Sequence, residues 1–354
     1  MRTSKDISTV APVFAEDGPR GRRIVRRARA IPLEILAFLL VTVLLPVLLV
    51  VAAVSDLVLW LRHRKPWAGV RLTLFLWWFL FGEMQALVAL LWIWVRSRGR
   101  DDLRRRLGIY NLRPYWLRHN LGAISALFGL RFEVDGIEEA AHMPAVVMIR
   151  HASIIDNTLP DVLVARRFGI GLRYVVKREL QALPLIDIGG RWVPTIFLRR
   201  VSSDPEAQIE RMRQLAVDLG GNEGILIYPE GTRHTDAKLA RVKEKLREAG
   251  SEVAPWAERL QNLLPPRLGG PLALLEETEG VDVVFCGHVG FDGFETVGDI
   301  YSGALVGKTI HVTFWRVPAA QVPADREGRT RWLYENWQRM DDWVGEHRDV
   351  AVVD

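Results

Sequence analysis

Residues 225–233 read Ile-Leu-Ile-Tyr-Pro-Glu-Gly-Thr-Arg, which is an apolar strand that ends in a charged turn. Residues 146–151 read Val-Val-Met-Ile-Arg-His and have the same form, with a histidine at the end of the strand. Short apolar runs that end at proline, glycine or charged residues are typical of buried β-strands. Both segments therefore predict strands of a central sheet, with polar side chains at the strand ends.

Strand-like and helix-like segments alternate on both sides of these two strands. The predicted strands cover residues 131–134, 146–149, 173–176, 193–198, 225–228, 281–286 and 309–314. The predicted helices cover residues 159–168, 205–219, 236–249 and 329–347. Such alternation predicts an α/β domain, with a mixed β-sheet flanked by helices.

Two apolar segments precede this domain. Residues 35–54 carry no charge, and about 20 such residues match a hydrocarbon core about 30 Å thick. Residues 72–95 form a second apolar run, in which Glu83 is expected to face a partner helix or the rest of the protein because a carboxylate in lipid is costly. The basic link 62–66 joins the two runs. Together they predict a membrane-embedded helical hairpin, with helices at about residues 35–60 and 72–95.

The chain of 354 residues then divides into three parts. We predict a flexible basic arm at residues 1–30, the membrane hairpin at residues 31–98, and the α/β domain at residues 99–354, which opens with a basic bridge at residues 100–118. A hairpin that enters only one leaflet is an alternative, and so is a signal peptide at the first apolar run.

Arginines flank both ends of the hairpin. By the positive-inside rule, both ends and the α/β domain lie in the cytoplasm. Arginine outnumbers lysine by about six to one, which indicates a GC-rich bacterial genome and hence the inner membrane.

Composition excludes several classes of function. The single cysteine, Cys286, cannot form an internal disulfide or a cysteine-rich zinc site, and its apolar surroundings predict a small buried side chain. The net charge is +5, and the basic residues cluster beside the apolar runs. Such clusters indicate anionic lipid, whereas nucleic-acid binding would need aromatic residues on a basic soluble face. We therefore expect membrane lipids as partners, and no nucleic acid.

His151 and Asp156 are five residues apart in the loop that follows one predicted strand. A loop at a strand end can fold the carboxylate back onto the imidazole, which fixes the ring tautomer and raises its basicity. His151 would then be able to deprotonate an alcohol, although the spacing taken alone favours a structural role. Ser153 lies between the two residues, but no serine, cysteine or lysine is placed as an activated nucleophile. A covalent intermediate is therefore not expected.

The turn at residues 229–233 has the chemistry of an anion site. Proline and glycine sharpen the turn, its backbone N–H groups can face an anion, and the Arg233 guanidinium can bind a phosphate through two hydrogen bonds. A given five-residue string arises by chance in a chain of this length with a probability on the order of one in ten thousand. The turn therefore predicts a functional site.

The pattern His-x-x-x-x-Asp at residues 151–156, followed about eighty residues later by Pro-Glu-Gly-Thr-Arg, resembles the glycerolipid (lysophosphatidate) acyltransferase family. Residues 196–200 are similar to a third block of the family, an apolar strand that ends in an arginine. Residues 263–270 resemble the Leu-Pro-Arg-x-x-Gly segment of the lysocardiolipin and long lysophosphatidate acyltransferases, and residues 332–337 resemble the ending of that branch. The resemblance covers about residues 120–345.

This resemblance implies a direct transfer of a fatty acyl group. His151, oriented by Asp156, would take the proton from an acceptor hydroxyl as that oxygen attacks the thioester of acyl-CoA or acyl carrier protein. The acceptor would be a lysophospholipid such as 1-acyl-glycerol-3-phosphate, whose phosphate would be held by Glu230, Gly231, Thr232, Arg233, Arg199, Arg200 and Arg267. Neither a metal nor a cofactor is expected beyond the thioester co-substrate.

The chain departs from the family pattern at two places. Arg150 stands where the family usually has asparagine, and Arg199-Arg200 stands where it commonly has Asp-Arg or Asn-Arg. Both changes are expected to add positive charge beside the phosphate. A double arginine is closer to the glycerol-3-phosphate acyltransferases, so glycerol-3-phosphate is a second candidate acceptor. A catalytically silent membrane protein that binds lipid is an alternative of another class.

Overall fold

The computed structural model describes residues 7–8, 20–99, 102–198, 204–294 and 296–348. They form an N-terminal helical hairpin and an α/β domain. The α-helices are α1 Arg20–His63, α2 Gly69–Arg96, α3 Asp102–Phe128, α4 Arg166–Phe168, α5 Pro205–Ala216, α6 Asp236–Glu248, α7 Ala254–Ala257, α8 Gly269–Glu277, α9 Val297–Tyr301 and α10 Arg326–His347. Two π-helices lie at Pro160–Ala165 and Leu185–Gly189, and short 3-10 helices lie at Ile137–Ala141, Asp156–Thr158, Arg178–Ala182 and Ala319–Gln321.

Seven strands form one mixed sheet, as the alternating sequence pattern predicts. They are β1 Arg131–Asp135, β2 Ala145–Ile149, β3 Gly171–Lys177, β4 Thr195–Leu198, β5 Glu223–Ile227, β6 Asp282–Val289 and β7 Thr309–Val317. Their order across the sheet is β1-β7-β6-β2-β5-β3-β4. The β6 and β7 pair is antiparallel and the other neighbouring pairs are parallel.

Side chains of the central strands alternate between two apolar layers. Val147 and Ile149 of β2 face a layer that also contains side chains of α3. Val146 and Met148 face the opposite layer, to which α8 and α10 contribute. The whole of β2 is buried, because a strand between two helical layers leaves neither face to solvent.

The hairpin consists of α1 and α2, both long and apolar enough to cross a membrane. The apolar side chains of α1 are largely exposed, among them Leu36, Leu39, Leu40, Val43, Val47, Val50, Val51 and Val54. Glu83 of α2 is buried against Glu34 and Trp116 of the neighbouring helices. This placement confirms that Glu83 faces a partner helix, and the exposed face of α1 is the surface that lipid would cover.

The helix α1 begins at Arg20, which corrects the prediction of a flexible arm over residues 1–30. Arg26 and Arg27 both bind the buried carboxylate of Asp187, and these ion pairs tie the first turns of α1 to the α/β domain. The rest of the predicted arm, apart from residues 7–8, lies outside the described residues.

Both ends of the hairpin contact the α/β domain. At one end, Asp187 binds Arg26 and Arg27 of α1. At the other end, Pro66 in the link packs closely against Gly303 of the domain. The helix between these ends, α2, has 28 residues and is about 42 Å long at 1.5 Å per residue. The hairpin therefore lies along the domain and does not extend away from it.

Residues 102–128 form the helix α3, where the sequence predicted only a basic bridge. The polar side chains of α3 find partners in the α/β domain. Arg113 Nε lies 3.2 Å from Asp161 Oδ2, and the Tyr110 hydroxyl donates to Glu223 over 2.8 Å. Because these polar side chains face the domain, α3 lacks the clear apolar stripe by which a helix is recognised in a sequence.

Candidate active site

The candidate site lies where β2, β5 and β6 end. These three strands are neighbours and run parallel, so their carboxyl ends meet at one edge of the sheet. His151 comes two residues after β2, and Glu230 comes three residues after β5. The fold therefore brings the two sequence motifs to the same place.

Asp156 faces the imidazole of His151. Nδ1 of His151 lies 3.3 Å from Oδ1 and 3.2 Å from Oδ2 of Asp156. Oδ2 also accepts the backbone N–H groups of Ala152 and Ser153, each over 2.8 Å. These bonds fold the loop around the carboxylate.

The Asp156 carboxylate is ionised at neutral pH. Burial raises the pKa of Asp156, but the adjacent His151 and the Ser153 N–H outweigh burial, so that the pKa lies below its ordinary value. An ionised carboxylate only accepts hydrogen bonds, which assigns the ring hydrogen of a neutral His151 to Nδ1. Nε2 is then the basic nitrogen that can accept a proton.

Ser153 and Cys286 are not placed as nucleophiles. Both side chains are buried, and the Ser153 hydroxyl donates to the carbonyl oxygen of Phe294 over 2.9 Å. Burial raises the pKa of the Cys286 thiol, which keeps it protonated and unreactive. Among the residues that the structure describes, no group of three or more His, Cys, Asp and Glu side chains is arranged to hold a metal ion. The arrangement supplies a base rather than a nucleophile.

Glu230 is buried and links two loops. One carboxylate oxygen accepts the backbone N–H of His151 over 2.7 Å, and the other accepts the backbone N–H of Leu264 over 3.1 Å. Burial raises the pKa of Glu230, although these two N–H groups and Arg150 oppose the rise. Because both oxygens are occupied by backbone groups, Glu230 holds the site together and does not contact substrate phosphate. This corrects the prediction from the sequence.

Gly231 and Arg267 are in contact. The φ of Gly231 is 66°, which glycine adopts readily, and a Cβ at this position would lie 2.9 Å from Cδ of Arg267. The Arg267 backbone N–H donates to the Pro229 carbonyl oxygen over 2.9 Å. Arg267 is exposed. The structure therefore brings Arg267 against the turn that carries Arg233, as the sequence predicts.

The other residues predicted to bind phosphate fall into two groups. Thr232 and Arg233 are half-buried next to Gly231, and Lys238 Nζ donates to the Arg233 carbonyl oxygen over 3.0 Å. Arg199 and Arg200 follow β4 directly but lie outside the described residues. Their part in phosphate binding stays a prediction.

The loop before Arg267 is held by α10. Asp341 accepts backbone N–H groups from Asn262 over 2.7 Å and from Leu263 over 2.8 Å. The Trp337 indole donates to the Leu264 carbonyl oxygen over 2.9 Å. A carboxylate that accepts several backbone N–H groups fixes a loop firmly. The segment that carries Arg267 is thus fixed from α10 as well as from Glu230.

Arg150 is completely buried and is not available to a substrate. Its guanidinium forms an ion pair with Asp292 and donates to the carbonyl oxygen of His288. Burial raises the pKa of Asp292, but Arg150 outweighs burial, so that the pKa lies below its ordinary value. The prediction that Arg150 adds charge beside the phosphate is therefore wrong. Successive residues of an extended chain face opposite sides, so Arg150 points away from the face that His151 occupies.

Sequence reasoning missed three residues around the site: His288, Asp292 and Asp341. The histidine near the end of β6 was a usable signal, because it resembles His151 at the end of β2. Asp292 and Asp341 gave no signal, since their partners lie 142 and 78 residues away in the sequence.

The chain is similar to known acyltransferases. Residues 131–256 match the family model described as Acyltransferase. The chain is similar to 1-acyl-sn-glycerol-3-phosphate acyltransferase epsilon of Mus musculus, with 25% identity over 58% of each chain. It is also similar to lysophosphatidylinositol acyltransferase 10 of Caenorhabditis elegans, with 21% identity over 67% of this chain and 62% of that protein. Lysocardiolipin acyltransferase 1 of Mus musculus is 22% identical over 64% of this chain and 60% of that protein. The chain thus spans about three fifths of the length of these relatives.

Among solved structures, the chain is similar to the 1-acyl-sn-glycerophosphate acyltransferase PlsC from Thermotoga maritima. The match covers 75% of this chain and 98% of that chain, with a TM-score of 0.43 and 14% sequence identity.

Proposed function

We propose that this chain transfers a fatty acyl group from a thioester to the hydroxyl of a lysophospholipid. In support, residues 131–256 match the Acyltransferase family model, and the chain is similar to 1-acyl-sn-glycerol-3-phosphate and lysocardiolipin acyltransferases. The observation that carries the proposal is the His151–Asp156 pair, with 3.2 Å between Nδ1 and the carboxylate. The donor is acyl-CoA or acyl carrier protein, and the favoured acceptor is 1-acyl-glycerol-3-phosphate.

In the proposed reaction, Asp156 keeps the hydrogen of His151 on Nδ1 and leaves Nε2 free to accept a proton. The acceptor hydroxyl gives its proton to Nε2 while its oxygen attacks the thioester carbonyl. The carbon–sulfur bond then breaks, and the thiolate leaves and can take up the proton from His151. A thioester is already activated, so base catalysis and positioning supply the remaining rate.

We further propose that the acceptor phosphate binds at the turn of Gly231, Thr232 and Arg233. Arg267 is exposed beside that turn, and a guanidinium can bind phosphate through two hydrogen bonds. Arg199 and Arg200 remain candidates for the same phosphate.

The proposed reaction takes place at a membrane surface, on its cytoplasmic side. The exposed apolar side chains of α1 support insertion into lipid. Contacts of both hairpin ends with the α/β domain favour insertion into one leaflet, because a spanning hairpin would carry Pro66 away from Gly303. The arginines that flank the hairpin favour the cytoplasmic face of a bacterial inner membrane.

The test is acyl transfer by the full chain in detergent or in membranes. Radiolabelled acyl-CoA would be offered with glycerol-3-phosphate, with lysophosphatidate and with other lysophospholipids, and His151→Ala would be the matched control. We expect transfer to lysophosphatidate by the wild type and a loss of about 10²–10⁴-fold in His151→Ala. An assay with acyl carrier protein as donor would identify the carrier.

The remaining outcomes separate the alternatives. Transfer to glycerol-3-phosphate alone would make that compound the acceptor, in line with the double arginine at 199–200. No transfer to any acceptor from either donor would contradict an enzyme and support a silent lipid-binding protein.

A further inference from the structure

A second histidine lies beside the catalytic carboxylate. Strand β6 pairs with β2 up to Ile149 and Cys286, and β6 then continues three residues further, to Val289. This extension brings the completely buried ring of His288 next to the loop of His151. Nε2 of His288 lies 3.7 Å from Oδ2 of Asp156. Asp156 thus has an imidazole on two sides.

His288 and Arg150 bind each other twice. Nε2 of His288 lies 3.1 Å from the carbonyl oxygen of Arg150. The Arg150 guanidinium in turn donates to the carbonyl oxygen of His288, and it also binds Asp292. These bonds form a closed brace between the ends of β2 and β6. The brace includes Arg150, which directly precedes His151 in the chain.

The partners fix the tautomer of His288. A carbonyl oxygen only accepts, so Nε2 of His288 carries the hydrogen. Burial lowers the pKa of His288, even though Asp156 opposes this effect, and the ring is therefore neutral at pH 7. Nδ1 of His288 has no hydrogen-bond partner in the described part of the chain. The neutral ring donates its N–H to the Arg150 carbonyl oxygen and presents a fixed dipole 3.7 Å from the Asp156 carboxylate.

We propose that His288 is a positioning residue for acyl transfer, which holds the Arg150 carbonyl and confines the Asp156 carboxylate so that His151 keeps its reactive orientation. The proposal rests on the proposed function and extends it beyond the two sequence motifs. A neighbour that never touches substrate can still affect the rate by holding the base in place. Displacement of a catalytic group by about 1 Å can lower the rate about 10²-fold.

The test compares His288→Leu with His288→Gln in the full chain. Leucine removes the N–H, whereas the glutamine amide can donate from a similar position. We expect His288→Leu to lower kcat by about 10- to 100-fold with both KM values nearly unchanged, and His288→Gln to recover most of that loss. Val289→Ala is the matched control, because Val289 is the next buried residue of the same strand end. Rates are given per folded molecule, measured from the thermal unfolding signal.

The outcomes are distinct from those for the proposed function. If His151→Ala loses transfer while His288→Leu keeps the wild-type kcat, only the positioning role fails. The role also fails if Val289→Ala and His288→Leu lose the same rate, or if glutamine gives no recovery in a folded protein. If His151→Ala itself keeps transfer, the proposed function is wrong. If the His288→Leu chain does not fold, the His288→Gln variant decides. A kcat of His288→Gln as low as that of His151→Ala would then overturn the positioning role.

Discussion

The Glu230 carboxylate accepts the backbone N–H of His151 over 2.7 Å, so the two sequence motifs of the site are bonded to each other. The second oxygen of Glu230 accepts the N–H of Leu264, in the segment that leads to Arg267. One buried carboxylate therefore links its own turn to two loops that are far apart in the sequence. A buried acceptor with two N–H donors is costly to replace, since each unpaired buried group costs about 1–3 kcal/mol.

Glu230→Gln is expected to destabilise the protein by about 1–3 kcal/mol and to lower kcat. The glutamine amide has one oxygen, so its NH₂ group would face the N–H of His151 or of Leu264. The thermal unfolding midpoint and kcat are the measurements, and Glu335→Gln on the exposed face of α10 is the control. An unchanged midpoint and kcat would show that Glu230 does not hold the loops.

His151→Ala and Asp156→Asn should each lower turnover by about 10²–10⁴-fold with little loss of fold. The double variant should be no worse than the poorer single variant, because a base and the group that orients it act as one unit. Single-turnover rates with saturating acyl donor measure this effect. Additive losses in the double variant would contradict a working pair.

The elements that the sequence predicted best are those whose chemistry is local. The central strands β2, β5 and β6 carry short apolar runs, and His151 and Asp156 lie within one loop. Arg113 of α3 gave the opposite impression. It reads as part of a solvated basic bridge, but it binds Asp161 and lies 3.3 Å from the ring centroid of Tyr174.

The role of Glu230 could not be read from the sequence for a related reason. In the motif it stands between proline and glycine, beside Arg233, where a phosphate contact is a reasonable prediction. Its partners are the backbone N–H groups of His151 and Leu264. Almost every residue has such a group, so these partners cannot be predicted from residue types. Arg150 illustrates the same limit, since its charge is cancelled by Asp292, 142 residues further along the chain.

His234 should make the protein sensitive to mild acid. Burial, together with the nearby charges of Arg150 and Arg348, lowers the pKa of His234 to about 4, although Asp236 and Asp292 oppose this shift. Between about pH 6.5 and pH 4 the unfolded chain binds a proton that the folded chain does not, so stability falls as the pH falls through this range.

His234→Gln removes this proton uptake. From pH 7 to pH 5, the wild type should lose about 2 kcal/mol more stability than His234→Gln. Thermal or denaturant unfolding in detergent at the two pH values measures the difference. Parallel losses in wild type and variant would mean that His234 is protonated as easily in the folded protein as in the unfolded chain.

The phosphate site should be separable from the base by kinetics. Arg267 is exposed against Gly231, and Arg233 follows on the same turn. An arginine that binds phosphate contributes about 1.5–3 kcal/mol through charge-assisted hydrogen bonds. Arg233→Ala or Arg267→Ala should therefore raise the acceptor KM about tenfold or more, while the donor KM stays within about twofold. Lysine should restore only part of the loss, because it has the charge without the planar guanidinium.

Arg331→Ala on the exposed face of α10 is the control. An arginine that only supports the fold would behave differently, since its loss would reduce the folded fraction and change both KM values together. Equal changes in both KM values, or no change in either, would contradict phosphate binding at this turn. The acceptor would then be an alcohol without a phosphate group.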